Sequence, residues 1–271
     1  MEKTKILFVC QEITPYLPET EMSIIGRYLP QGIQEKGKEI RTFMPRFGII
    51  NERRNQLHEV IRLSGMNLII DDTDHALIIK VASIQSARMQ VYFIDNDDYF
   101  QRKHTFCDAN NDYFKDNDER GIFYVRGVIE TIRKLRWSPD LVHCHGWFSA
   151  FMPLYIKKML AEDPLFAGTK TIFSVYDDFI PQTFTSTLKR KIKREGISDS
   201  DVSILGSEPN YLKIIELAMK FSDGVILGSK TIPSILEGSL KSYKKPILPY
   251  QSLETYIDAY ANFYQKILAQ V

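Results

Sequence analysis

A chain of 271 residues and 31.5 kDa is long enough for one large α/β core, because single cores stop growing near ~250–300 residues. Hydrophobic residues at 44% and charged residues at 25% match ordinary globular usage and exclude a disordered or low-complexity chain. Thirty-five Lys and Arg against 34 Asp and Glu leave a formal net charge of +1, so no global field exists to hold nucleic acid or a membrane surface.

The first apolar run, Ile6 to Cys10, reads as a fully buried strand. Ile24, Ile25, Tyr28 and Leu29 then fall at helical spacing, and the helix they predict ends near Gly37, before a second strand from Ile40 to Met44. The opening is β-α-β. Two strand-like runs, 76–81 and 91–94, follow with no helix between them and predict a hairpin or a sheet extension. From Asp118 onward, Ile122, Val125, Val128, Ile129 and Ile132 define a long amphipathic helix with acidic residues at its start, where the macrodipole favours them.

Alternation then resumes with a strand at 141–143, a helix from Trp147 to Leu160, and strands at 171–175 and 224–227. The polar, basic stretch from Phe179 to Pro209 is expected to loop over the surface. Inside it, KRKIKR at 189–194 is expected to be a solvated face, with phosphate or polyanion binding as the alternative. Tyr256, Tyr260, Phe263, Tyr264 and Ile267 lie on one stripe of a final helix. Strands alternating with helices predict a single Rossmann-like α/β domain with a mainly parallel sheet.

Cys10, Cys107 and Cys144 form no C-x-x-C pair and leave an odd one over, as in a reducing compartment. The short polar N-terminus lacks the pattern of a signal peptide, and no apolar stretch approaches the ~20 residues that span a bilayer. A cytoplasmic location is therefore expected. No Gly-x-Gly-x-x-Gly, phosphate loop, nucleophile elbow or His-Glu-x-x-His occurs. His143 and His145 alternate on a strand and can face one side, but no third metal ligand follows at usable spacing. Neither a metal nor a cofactor is expected.

Several blocks, in order, resemble the glycogen and starch synthases. They are KILFVCQE at 5–12 with Pro15, HEVIRLSG at 58–65, VYFIDN at 91–96 with Tyr99, Phe100 and Arg102, and DNDER at 116–120. PDLVHCHGW at 139–147, NYLK at 210–213 and FSDGVILGS at 221–229 complete the set, which spans residues 5–240. The resemblance implies half of a GT-B glycosyltransferase, with a synthase-like domain over 1–240. Residues 241–271 are then a linker and a helix packing back on that domain. ANFYQKIL at 261–268 is similar to the family's last helix, which follows its donor-binding domain; here that domain has no counterpart.

The same resemblance places eight cleft positions, Pro18, Thr20, Glu21, His145, Gly146, Phe148, Tyr176 and Asp177. The family's Lys-x-Gly-Gly, which pairs with the nucleotide's phosphate, is replaced by Pro18, Glu19, Thr20 and Glu21. Its His-Asp-Trp-His becomes His145, Gly146, Trp147 and Phe148, and its His-Asn becomes Tyr176 and Asp177. From the residues alone, 18–21 is a capped loop before the first helix, His145 is structural, and an acidic pair after a strand caps a turn. Tyr176, Asp177 and Asp178 also offer hydrogen bonds to sugar hydroxyls. No catalytic residue is assigned. The expected function is a non-catalytic glucan-binding or regulatory relative, with a glucan, a nucleotide sugar, an active synthase or another protein as partner. The alternative is an active ADP-glucose-dependent glucosyltransferase, alone or completed by a partner chain.

Overall fold

The computed structural model describes residues 3–270. Strand β1 (Lys5–Cys10), helix α1 (Glu21–Glu35) and strand β2 (Glu39–Pro45) form the expected opening, with β1 and β2 parallel. Next come β3 (His58–Glu59), β4 (Met66–Ile70), β5 (Thr73–Ile84) and β6 (Met89–Asp95). The two apolar runs read as a hairpin pair antiparallel, β5 on β6, with β3 and β4 also on β5.

After the short turn α2 (Asp97–Phe100), α3 (Asn117–Leu135) carries the predicted apolar stripe and feeds β7 (Leu141–His145), which runs parallel to β1. The single helix expected from Trp147 to Leu160 is instead three pieces. A 3₁₀ turn at Trp147–Ser149 leads to α4 (Met152–Leu154) and a π-helical turn at Tyr155–Met159. Pro153 has no N–H to give to an earlier turn, and beyond it the hydrogen-bonded turn is one residue wider than in an α-helix, with Leu160 N bonded to Tyr155 O at 2.9 Å.

Strand β8 (Lys170–Val175) continues the parallel order. The stretch 179–209 is not a plain surface loop. It holds α5 (Leu188–Ile192), α6 (Asp199–Val202) and a 3₁₀ turn at Ser203–Leu205, and it buries Phe184, Leu188, Ile192, Val202 and Leu205. The basic run is a solvated face only in part. Lys191 is buried, with Nζ 3.0 Å from Asp118 and 2.7 Å from Glu119, while Arg190 pairs with Asp71 and Lys193 with Asp199. These partners neutralise three of the five charges that the polyanion alternative required.

Helix α7 (Tyr211–Phe221) precedes β9 (Gly224–Leu227), and α8 (Glu237–Ser242) precedes the two-residue edge strand β10 (Ile247–Leu248). The ten strands form one sheet in the order β10-β9-β8-β7-β1-β2-β6-β5-β3, with β4 beside β5. It is parallel from β10 to β6, and β1 lies at its centre with 0–1% exposure from Ile6 to Cys10. Helix α9 (Tyr256–Leu268) returns to this sheet and buries Tyr256, Tyr260, Phe263, Tyr264 and Ile267, the stripe read from the sequence. Among the described residues, no helix is long and apolar enough to cross a membrane.

Candidate functional site

In an open parallel sheet the ligand crevice lies beyond the carboxyl ends of the strands. At that end the segment after β1 meets the segment after β7. Gln11 N donates to His145 O at 3.1 Å, and Gln11 Oε1 accepts from Phe148 N at 3.1 Å. Gly146, between them, has φ 80° and ψ 163°, a region open essentially to glycine. A Cβ there would lie 2.7 Å from Gln11 Oε1 and 2.9 Å from the Met22 sulfur. One residue on, Trp147 N donates to Asp178 Oδ2 at 2.9 Å, and the Tyr211 hydroxyl donates to Asp178 Oδ1 at 2.7 Å. Burial raises the Asp178 carboxyl to about 6 despite these donors, and the Glu12 charge pushes the same way.

The start of α1 forms the other wall. Thr20 is its N-cap. Thr20 Oγ1 accepts from Ser23 N at 3.0 Å, while Ser23 Oγ accepts from Thr20 N at 2.8 Å, a closed capping box. Ser23 Oγ also reaches Pro18 O at 3.0 Å, and Thr20 Oγ1 donates to Glu12 Oε2 at 2.8 Å. Pro18, Glu19 and Thr20 are exposed and Glu21 is half-buried. The Glu21 carboxylate accepts from the Tyr250 hydroxyl and holds that phenol's pKa up. This rim is acidic, with Glu12, Glu19 and Glu21 along it.

Beneath the rim the two histidines are fully buried, their ring centroids 3.8 Å apart. His143 Nδ1 lies 2.6 Å from the Tyr264 hydroxyl of α9, and its Nε2 lies 2.7 Å from Ser174 Oγ. His145 Nδ1 lies 2.8 Å from the Tyr176 hydroxyl, and its Nε2 has no hydrogen-bond partner. Burial drives both imidazoles below their ordinary pKa, His145 to about 3, and the neighbouring ring adds to the effect at His143. Both stay neutral. Among the described residues no group of His, Cys, Asp and Glu is arranged to hold a metal.

The eight positions marked in the sequence therefore divide. Pro18, Thr20 and Asp177 are exposed at the rim and Glu21 is half-buried there, whereas His145, Gly146, Phe148 and Tyr176 are core. Tyr176 is 2% exposed and spends its hydroxyl on His145, so the sugar contact offered to it from sequence is not available in this conformation. Phe148 packs against Phe47, Phe106 and Trp147. Asp177 accepts from Thr231 Oγ1 at 3.0 Å and caps the loop after β9. Sequence reasoning passed over Gln11, Tyr211 and Tyr250. Gln11 had a signal, since it follows β1 at the level where the parallel neighbour β7 ends, and Tyr211 lay inside the NYLK block; Tyr250 comes from a distant segment and had none.

The starch synthase catalytic domain family matches residues 5–240. The chain belongs to that family. It is 34% identical over 197 residues to a glycogen synthase of Chlorobium limicola, covering 72% of this chain and 40% of that one. With a glycogen synthase of Chlorobaculum tepidum it shares 33% identity over 210 residues, 77% of this chain and 43% of the relative. The chain thus spans less than half the length of these relatives. Among solved structures, the catalytic domain of starch synthase IV from Arabidopsis thaliana, bound to ADP and acarbose, matches 94% of this chain and 53% of its own, with TM-score 0.72 at 15% identity. That likeness is one of fold.

Proposed function

We propose that this chain is a non-catalytic member of the synthase family that binds a glucan or regulates an active synthase. The observation that carries the reading is the acidic start of α1. Where the family places a phosphate-pairing lysine and two glycines, this chain has Pro18, Glu19, Thr20 and Glu21, with Thr20 tied to Glu12 at 2.8 Å. A carboxylate 4 Å from a phosphate charge costs about 4 kcal/mol at an effective dielectric near 20, where a lysine would supply a similar attraction. Nucleotide-sugar binding is weakened at the step that transfer needs most, neutralisation of the leaving diphosphate.

Two further features support the reading. His145 and Tyr176 are consumed by each other in the core, so neither presents a polar group to a reacting sugar. And α9, similar to the helix that in the family follows the donor domain, here follows α8 after only β10. The exposed carboxylates of Glu19 and Asp177 leave hydrogen-bonding capacity for a neutral glucan, which carries no charge to be repelled.

Radiolabelled glucose transfer from ADP-glucose and UDP-glucose to glycogen, run beside glycogen co-sedimentation, tests this. Co-sedimentation without transfer is expected. Elongation of glycogen by the purified chain, or on adding a second chain, would restore the ADP-glucose-dependent glucosyltransferase.

A further inference from the structure

At the opposite end of the sheet the amino ends of β1 and β2 and the turn between β5 and β6 enclose a cavity of about 600 Å³. That volume is typical of small-molecule sites. Its lining gathers four cations, Lys3, Lys38, Arg41 and Arg88, against one carboxylate, Glu39. Glu39 is already engaged, since its Oε1 accepts from Trp137 Nε1 at 2.6 Å and lies 3.6 Å from Arg41 Nη2. Lys38 donates to the neutral Thr4 hydroxyl at 3.3 Å, and among the described residues Lys3, Lys38 and Arg88 make no ion pair.

Part of the cationic wall is fixed in place. Arg41 is held by Nη1 on Ile40 O at 3.0 Å and lies 5.4 Å from the Trp137 ring centroid, while its buried Nε has no partner. Arg88 follows the 3₁₀ turn at Gln85–Ala87 with φ 49°, a left-handed conformation uncommon outside glycine. Tyr92, stacked on Phe43 with centroids 5.0 Å apart, offers a ring as an apolar wall. A cavity of this size, lined by four cations and an aromatic face, selects a compact anion with an organic part. A long polyanion would instead need a field over the whole surface, which a net charge of +1 does not provide.

We infer that this cavity binds a small phosphorylated metabolite, with phosphate among Lys3, Lys38, Arg41 and Arg88 and the organic part against Tyr92. The site is separate from the carboxyl-end crevice, so it stands or falls independently of the functional reading above. Inorganic pyrophosphate is the probe, titrated calorimetrically into the full chain. Wild type is expected to bind with Kd near or below about 1 mM. Arg88→Glu, at an exposed position, and Lys38→Gln should each weaken binding by about tenfold or more, with unchanged thermal melting. Lys241→Glu, on α8 outside the cavity, should bind as wild type does. No binding to wild type, wild-type affinity in both cavity variants, or an equal loss in Lys241→Glu would each overturn the site. Binding of an RNA oligomer or long-chain polyphosphate without pyrophosphate would overturn the small-ligand assignment.

Discussion

His143 and His145 occupy alternate positions of β7 and share one buried polar cluster with Ser174, Tyr176 and Tyr264. Because folding depresses both imidazoles below the ordinary value of 6.5, the unfolded chain binds more protons than the folded one as pH falls below that value. The His145 contribution is therefore fully present above pH 6.5 and is lost on acidification toward about 3, at ~1.4 kcal/mol per pH unit, and the His143 contribution is lost in the same direction. Asp178, raised from 3.8 to about 6, has the opposite sign, so the difference between wild type and His145→Asn isolates the histidine. Urea unfolding from pH 7 to 4 should show a shallower acid loss in that variant; parallel curves would refute the assignment. Gly146→Ala places a side chain where φ is 80° and Gln11 and Met22 stand within 3 Å, and should cost ~1–3 kcal/mol by the same measurement. The need for Gly146 was legible only as a departure from the family's carboxylate at that position. Nothing local in the sequence told that Tyr176 would turn inward to a histidine 31 residues earlier in the chain.

Strands and long helices announced themselves wherever one physical period dominated. The runs from Ile6 and Thr171 are buried on both faces, and the stripe of α3 falls at 3.6-residue spacing, so both classes of signal survive folding intact. The failures have local causes. Pro153 divides an otherwise largely apolar helix, and 179–209 hides its apolar anchors among basic residues, of which Arg190 and Lys191 find their partners Asp71, Asp118 and Glu119 far away in sequence. β3, β4 and β10 owe their pairing to β5 and β9 rather than to a strong pattern of their own. α9 is the clearest case of a legible element with a global consequence. Its aromatics cover the sheet, Phe263 and Ile267 close on Gly224, and Ile257 closes on Gly32 of α1. Burying Tyr256, Tyr260, Phe263 and Tyr264 at ~1.5–3 kcal/mol each rivals the whole stability of an ordinary domain, ~5–15 kcal/mol. Truncation after Tyr250 should accordingly lower the melting temperature drastically or abolish cooperative melting; a truncated chain that melts like the full one would show that the helix is dispensable.

For the molecule as a whole, the question is whether a GT-B half with this crevice can pass glucose from ADP-glucose to a glucan. Transfer requires donors and cations held in advance where charge develops, and removing one such contact at a reacting centre commonly costs ~10²–10³ in rate. Here several positions differ together. On the proposed correspondence with the family, the lysine loop is acidic at Glu19 and Glu21, the carboxylate is replaced by Gly146 and the second imidazole by Phe148, and His145 is turned to Tyr176. Transfer by the purified chain is therefore expected to fall orders of magnitude below that of an active synthase assayed on the same glycogen. Restoring lysine at Pro18 and glycine at Thr20 and Glu21 should not rescue it. That change replaces Thr20, the N-cap whose hydroxyl closes the α1 capping box, and it leaves the Gly146, Phe148 and Tyr176 positions unaltered. A restored loop that elongates glycogen would show that the acidic rim alone had silenced an otherwise competent crevice, whereas robust elongation by the wild-type chain would show that these substitutions do not abolish transfer.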